Sequence, residues 1–148
     1  MTPIARGIQK DGVLHTFELE EKHAAQAAES FQKADVSHLI KQYVGPALEN
    51  LKTIEKEGPF DAVFIDADKV SYPDYLTWAE KNLKIGGLII GDNTFAWGNI
   101  HNTNIQDKEL AQKVNALRDF NARIMRNPKF RATILPTGEG LTVGIKIA

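Results

Sequence analysis

Short apolar runs alternate with amphipathic stretches along the chain, which predicts strands that alternate with helices. The predicted strands are rich in β-branched and aromatic residues and lie at residues 13–19, 38–44, 60–65, 88–91, 130–135 and 141–147. The predicted helices carry apolar residues three and four positions apart and lie at residues 20–34, 46–57, 72–85 and 110–126. This alternation indicates an α/β fold with a mostly parallel sheet and right-handed crossovers.

Turn and cap residues add detail to this pattern. Residues 136–140 (PTGEG) form a short connection, so the last two strands are predicted to be an antiparallel hairpin. Ser71 and Asp74 have the spacing of a capping box at the start of the third helix, and Gly86-Gly87 is expected to end that helix. The apolar run at residues 60–65 is typical of a buried parallel strand.

The composition restricts the function classes. A length of 148 residues predicts a single domain, residues 1–148. The composition, with 43% hydrophobic and 25% charged residues, is close to the globular average and excludes wholesale disorder. The net charge of −1 gives no support for binding to nucleic acid, and the absence of cysteine excludes thiol catalysis and cysteine-based zinc sites. The apolar runs are far shorter than the ~18 residues that a membrane-spanning helix needs. The N-terminus also lacks the apolar region of a secretory signal, so we expect a cytoplasmic protein without a membrane partner.

Acidic and amide side chains follow two of the predicted strands. Asp66 follows the third strand, and Asp92 and Asn93 follow the fourth. Ligands of open α/β sheets bind outside the carboxyl ends of the strands, so these positions are candidates for a site. If the two strands are neighbours, the two carboxylates face each other across about 4.8 Å, and a cation between them relieves their repulsion. Two charged and one neutral oxygen ligand indicate Mg²⁺, Ca²⁺ or Mn²⁺ rather than zinc.

Glu18 and Lys69 are further charged residues at predicted strand ends. Glu18 lies where a carboxylate accepts ribose hydroxyls in nucleotide-binding α/β folds, and the alternative is a charge that stabilises the next helix. Lys69 lies where a lysine beside a divalent cation can act as a base, and the alternative is a solvated surface lysine. Phe95 and Trp97, in the loop at residues 94–106, either line a pocket for an aromatic substrate or anchor the loop in the core.

Several short segments, by their order and spacing, resemble the cation-dependent class I O-methyltransferases, the family of the catechol and caffeoyl-coenzyme A O-methyltransferases. The most recognisable segment is FDAVFIDADK at residues 60–69, with Tyr72 shortly after it. Further matching blocks are TFELE at 16–20, GPAL at 45–48, GGLIIGDN at 86–93 and GEGLT at 138–142. The resemblance covers nearly the whole chain and implies a three-layer, Rossmann-like methyltransferase sheet with an antiparallel C-terminal hairpin.

The resemblance also implies roles for the matching positions. Glu18 would hold the ribose of S-adenosylmethionine, while Ala47, through its backbone, and Asp68 would contact the adenine side. The residues that would bind the divalent cation are Asp66, Asp92 and Asn93. Lys69 would be the general base. The implied reaction is methyl transfer to one hydroxyl of a catechol-like small molecule, and a homodimer is expected because the family is often dimeric.

One part of the family pattern is absent from the sequence. The family's cofactor site begins with a strand, a glycine-rich loop and a helix, and no such loop precedes Glu18, although residues 2–7 resemble the end of that helix. We therefore expect the first strand to be missing between the strands that end near Glu18 and Asp66. The chain is then a fragment of a longer methyltransferase or an inactive relative, with its cation-binding residues retained and its cofactor affinity weak or absent.

Two alternatives come from other functional classes. Residues 63–70 (VFIDADKV) also fit the motif of haloacid-dehalogenase-like phosphatases, in which Asp66 would be the nucleophile, Asp68 the acid/base and Asp92 a Mg²⁺ ligand. Against it, that motif normally lies on the first strand of its fold, whereas two predicted strands precede the strand that carries it here. The other alternative is a non-catalytic binding or scaffold relative that kept the fold.

Overall fold

The computed structural model describes residues 1–9 and 11–148, which form two compact units, Met1–Glu55 and Lys56–Ala148. Each unit has a sheet of its own: β1 and β2 in the first, and four strands in the order β3-β4-β6-β5 in the second. The predicted α/β class is confirmed. None of the described helices is long and apolar enough to cross a membrane.

The first unit is a two-stranded parallel sheet with helices. Its elements are α1 (Thr2–Arg6), β1 (Leu14–Glu18), α2 (Glu21–Lys33), a 3-10 turn (Ser37–Leu39), β2 (Ile40–Val44) and α3 (Ala47–Ile54). Its small core consists of buried Ala5, Phe31 and Val36, with Leu14, Ala27, Ala34 and Ile40 packed against them. The second strand begins later than residue 38 because the backbone there forms the turn, in which Leu39 N donates to Val36 O (3.0 Å).

The second unit is a four-stranded mixed sheet. Its elements are β3 (Phe60–Ile65), a 3-10 turn (Lys69–Ser71), α4 (Tyr72–Asn82), β4 (Leu83–Asp92), α5 (Lys108–Arg126), β5 (Phe130–Leu135) and β6 (Leu141–Lys146). β3 and β4 are parallel, and β6 lies between β4 and β5, antiparallel to both. The prediction of an antiparallel C-terminal hairpin is confirmed.

Helix α5 packs closely on this sheet. Its buried stripe contains the predicted positions Val114, Leu117, Phe120 and Ile124, all fully buried. The sheet has glycines where the helix approaches: a Cβ at Gly91 would lie 2.8 Å from the Phe120 ring, and one at Gly144 would lie 2.8 Å from Ile124. Helix α5 is therefore fixed against the carboxyl end of β4, where the candidate residues begin.

The predicted end of helix α4 is wrong. The helix ends at Asn82, and the Gly86-Gly87 pair lies inside β4, where Gly86 has a φ of +83° and the pairing with β3 shifts register. A long-range contact lies at this early end: Lys146 Nζ on β6 donates to the carbonyls of Glu80 (2.7 Å) and Leu83 (2.8 Å). A cation at the carboxyl end of a helix is favourable there.

Two smaller expectations are also wrong. Ser71 makes no side-chain cap bond; instead Ser71 N donates to Asp68 Oδ1 (3.0 Å), so Asp68 caps the turn before α4. Strand β3 is parallel as predicted but is not buried, since Phe64 remains 39% exposed. The reason is that, within the described residues, β3 pairs with β4 alone and lies at the edge of its sheet.

Candidate functional site

The ends of β3 and β4 bring the predicted cation-binding residues close together. The parallel register pairs Ile65 with Gly91. Asp66 and Asp92 are the next residues of the two neighbouring chains, so their backbones lie one strand spacing, about 4.8 Å, apart. The two strands are neighbours, which is the condition that the interpretation as a cation site required. Asn93 comes next with a φ of +55°, a left-handed conformation that asparagine tolerates, and its N–H donates to the Asp92 carboxylate (2.8 Å).

Lys69 lies beside this pair of strand ends. Its side chain is only 8% exposed, whereas that of Asp66 is 56% exposed, and Nζ lies 3.4 Å from Asp66 Oδ1. The ammonium also donates to the Tyr72 hydroxyl (2.7 Å) and lies 4.8 Å from the centre of that ring. Of the two interpretations of Lys69, the solvated surface lysine is wrong, because the side chain is buried among these partners.

Tyr72 is the main residue of this site that the sequence does not predict. The matching segment at residues 60–69 draws attention to Tyr72 but gives it no contact. Its hydroxyl lies 3.0 Å from the carbonyl of Ile65 and 2.9 Å from that of Asp92, at the ends of β3 and β4. Burial, and next the nearby charges of Asp66 and Asp92, raise the Tyr72 pKa far above its usual range. The hydroxyl therefore stays protonated and remains a hydrogen-bond donor.

Asp68 is held by its own turn. Its Oδ1 accepts from Ser71 N (3.0 Å) and its Oδ2 from the Tyr75 hydroxyl (3.0 Å). Burial and the hydrogen bond to Asp68 raise the Tyr75 pKa well above its ordinary value. Asp68 thus has a structural role as a cap, and its carboxylate keeps lone pairs that can accept from a further group.

The residues at the strand ends fit a hard divalent cation. Asp66 and Asp92 contribute carboxylate oxygens and Asn93 an amide oxygen, and such oxygen donors suit Mg²⁺, Ca²⁺ or Mn²⁺. Among the residues that the structure describes, no three His, Cys, Asp or Glu side chains form a metal cluster. The predicted set has only two carboxylates, so its remaining ligand is neutral and the charge it offers is −2.

A buried polar network holds the chain that leaves this site. The hydroxyls of Thr94 and Thr142 are 2.9 Å apart, Thr142 donates to Asn121 Oδ1 (2.7 Å), and Asn121 Nδ2 donates to the Thr94 carbonyl (3.0 Å). The network fixes the residue after Asn93 to β6 and α5. It too was missed from the sequence, since its members are far apart along the chain.

The two aromatic residues of the following loop have different surroundings. Phe95 N donates to Glu139 O (2.8 Å), and its ring packs so closely on Gly140 that a Cβ there would lie 2.6 Å from it. Phe95 therefore anchors the loop. Trp97 is 46% exposed. Arg118 on α5 holds the rest of the loop through the carbonyls of Ile100 (2.9 Å) and Asn102 (2.7 Å).

In the first unit, the structure brings Glu18 close to the turn before α3. Glu18 pairs with Val44 at the carboxyl end of the parallel sheet, and Gly45 N donates to Glu18 O (3.0 Å). Gly45 has a φ of +108°, and Ala47 is the first residue of α3, where backbone N–H groups lack partners within the helix. The Glu18 side chain is 37% exposed and accepts from Glu20 N (3.3 Å).

Comparison with known proteins identifies the family. A family model described as O-methyltransferase matches residues 1–147. The chain belongs to the O-methyltransferase family. The match covers the segments that carried the resemblance, which is thereby confirmed, and it does not favour the phosphatase alternative.

Individual relatives agree with this assignment. A catechol O-methyltransferase of Niastella koreensis is 36% identical over 134 residues, covering 89% of this chain and 59% of the relative. A catechol O-methyltransferase of Mycobacterium tuberculosis is 41% identical over 134 residues, covering 90% of this chain and 58% of the relative. The chain therefore spans less than two thirds of the length of these relatives.

A solved structure supports the fold. The O-methyltransferase TomG of Streptomyces achromogenes, involved in tomaymycin synthesis and solved in complex with SAM, superposes with a TM-score of 0.90 at 32% identity. The superposition covers 99% of this chain and 67% of TomG. The Rossmann-like fold implied by the resemblance is confirmed.

Proposed function

We propose that the chain carries the site of an S-adenosylmethionine-dependent and divalent-cation-dependent O-methyltransferase that acts on a catechol-like small molecule. The observation that carries the proposal is the position of Asp66 and Asp92 at adjoining strand ends, with Lys69 buried beside Asp66. The two relatives named catechol O-methyltransferases support the acceptor class. A homodimer, expected from the family, is part of the proposal.

In this proposal Asp66, Asp92 and Asn93 hold the cation through their side-chain oxygens. When bound, a divalent cation supplies positive charge beside the acceptor hydroxyls, which favours their ionised form. The carboxylate of Asp66 is half exposed and therefore accessible to an incoming cation and acceptor. The paired strands β3 and β4 bring the backbones of Asp66 and Asp92 side by side before anything binds, which reduces the entropy lost on binding.

In the reacting form Lys69 is the neutral amine: its Nζ lone pair takes the proton that leaves the acceptor hydroxyl, and the side chain becomes the ammonium. Its Nζ is held between the Tyr72 hydroxyl (2.7 Å) and Asp66 Oδ1 (3.4 Å), so the proton arrives at a fixed position close to the cation-binding residues. Proton transfer to a positioned side chain contributes typically about 10²- to 10⁴-fold to a rate.

The cofactor contacts are proposed for three residues. In the first unit, the Glu18 carboxylate would accept hydrogen bonds from the ribose hydroxyls and Ala47 would contact the adenine side through its backbone. In the second unit, Asp68 would contact the adenine side. S-adenosylmethionine supplies the methyl group from its sulfonium sulfur. Glu18 and Ala47 suit this role because they share the carboxyl end of the β1–β2 sheet, the edge at which open α/β sheets bind ligands.

Calorimetric titration with S-adenosylhomocysteine, with and without Mg²⁺, tests the cofactor part of this proposal. We expect weak one-to-one binding that Glu18→Gln abolishes. Glu21→Gln, which changes an exposed residue in the first turn of α2, is the matched control and should leave binding unchanged. No binding to a folded sample, or equal binding by both variants, would contradict the proposed cofactor site in this chain.

A further inference from the structure

The hydroxyl of Tyr72 is buried where β3 and β4 end. It lies 3.0 Å from the Ile65 carbonyl, 2.9 Å from the Asp92 carbonyl and 2.7 Å from Lys69 Nζ. A phenol has one O–H, which it donates to either carbonyl or shares between them, and its oxygen is left to accept from the lysine. One side chain thus contacts both strand ends and the buried amine.

The β3–β4 ladder stops just before the two acidic residues. Its last pair is Ile65 with Gly91, one residue before Asp66 and Asp92. Asp92 is still held on its other side, where it pairs with Leu141 of β6. The end of β3 has no further ladder pair with β4, and two like charges at one strand spacing repel each other when no cation lies between them.

We propose that Tyr72 is a positioning residue: its hydroxyl ties the end of β3 to the end of β4 and holds Lys69 beside Asp66, so that the two carboxylates keep a spacing that binds a cation. The inference rests on the proposed cation site and deepens it, because it names a residue that sets the geometry of the ligands without being one. Groups behind metal ligands typically change metal affinity about 10- to 100-fold when removed.

The ring of Tyr72 has a separate, structural role. It is fully buried and packs edge-on against Phe120 and Tyr75, with ring centres 5.3 and 6.4 Å apart. A phenylalanine at position 72 keeps these contacts and loses only the hydroxyl. Tyr75 offers a matched control, because it lies one helical turn further on and its hydroxyl contacts Asp68 rather than the strand ends.

The test compares Tyr72→Phe, Tyr75→Phe and the wild-type chain by the affinity for Mn²⁺, measured by calorimetry without cofactor or acceptor. We expect Tyr72→Phe to bind Mn²⁺ about tenfold more weakly and Tyr75→Phe to bind like wild type. In the metal-free chain, the carbonyl ¹³C resonances of Ile65 and Asp92 should move in Tyr72→Phe and stay in place in Tyr75→Phe, a change that general loss of stability does not produce.

The outcomes separate this inference from the function on which it rests. If the wild-type chain binds Mn²⁺ and Tyr72→Phe binds it equally well, the positioning role is wrong and the cation site stands. If the folded wild-type chain binds no Mn²⁺, the proposed cation site is wrong and the inference falls with it. If Tyr72→Phe does not fold, the test is the NMR signal of the Tyr72 hydroxyl proton in the wild-type chain. Slow exchange of this proton with solvent and a change of its chemical shift on addition of Mg²⁺ support the positioning role, and fast exchange contradicts it.

Discussion

Lys69 Nζ lies 3.4 Å from the Asp66 carboxylate, yet the lysine side chain is 8% exposed and the aspartate 56% exposed. The amine is thus fixed from the protein side while the carboxylate faces solvent. This arrangement suits a base that takes the proton of a hydroxyl bound beside Asp66, and it makes the role of Lys69 testable by substitution.

Lys69→Met should lower the rate of methyl transfer by about 10²- to 10⁴-fold, because it removes the proton acceptor and keeps an unbranched apolar chain. The measurement is the initial rate with S-adenosylmethionine, Mg²⁺ and catechol. Lys84→Met is the matched control, since Lys84 is half exposed and pairs with Asp61. Equal rates for Lys69→Met and wild type would contradict the proposed role.

The buried polar network of Thr94, Asn121 and Thr142 predicts that its loss lowers the stability of the fold. Thr142→Val removes the hydroxyl that donates to Asn121 and leaves a buried amide oxygen without that partner. We expect the free energy of unfolding in urea to fall by about 1–3 kcal/mol. Thr133→Val makes the same change at an exposed position of β5 and should stay within about 0.5 kcal/mol of wild type. Similar losses in both variants would show that the network does not act as described.

Gly140 predicts a second stability effect for a different reason. It has a φ of +77°, and a Cβ there would lie 2.6 Å from the Phe95 ring. Gly140→Ala should lower the free energy of unfolding by at least about 1 kcal/mol through backbone strain alone, and the clash adds to it. Gly138→Ala introduces the same methyl group into open space in the same connection and should have little effect. Thermal unfolding of the two variants checks this, and equal melting temperatures would contradict it.

Glu80 predicts a pH dependence of stability. Hydrogen bonds from Lys129 (2.8 Å) and Asn127 (2.8 Å) hold the pKa of Glu80 below its ordinary value. Because the folded pKa is lowered, the stabilisation is complete above the unfolded value of about 4.3 and is lost as the pH falls through the folded pKa. The stability difference between wild type and Glu80→Gln should therefore be constant at neutral pH and shrink as the pH falls below the unfolded pKa of about 4.3.

The partner of Glu80 supplies the control. In a Lys129→Met background, the largest cause of the lowered pKa is gone. The stability difference that Glu80→Gln produces in that background should depend less on pH. Chemical unfolding between pH 3 and 7 measures the difference in both backgrounds, and an unchanged pH dependence in the Lys129→Met background would contradict the assigned cause.

Local patterns in the sequence predict most elements of the fold. The stripe of Val114, Leu117 and Phe120 predicts helix α5 because its spacing matches the helical repeat. The short connection at residues 136–140 predicts the antiparallel hairpin because few residues can join the strands otherwise. The motif at Asp66 and Asp92 predicts adjoining strand ends because parallel strands end at one edge of a sheet.

Features that depend on contacts distant in sequence were not predicted. Helix α4 ends at Asn82, beside the carbonyls of Glu80 and Leu83 to which Lys146, far along the chain, donates. β6 lies between β4 and β5, an order that local spacing does not encode. The Tyr72 hydroxyl reaches both Ile65 and Asp92, and only the folded chain shows that these carbonyls lie within its reach.

Transfer of a labelled methyl group from S-adenosylmethionine to catechol is the direct test of the proposed activity. The assay compares the wild-type chain in Mg²⁺, the same sample after removal of the cation with EDTA, and Asp92→Ala in Mg²⁺. We expect O-methylated catechol in the first sample alone. Transfer that continues in EDTA or in Asp92→Ala, or no transfer by a folded wild-type chain that binds both S-adenosylhomocysteine and Mn²⁺, would contradict it.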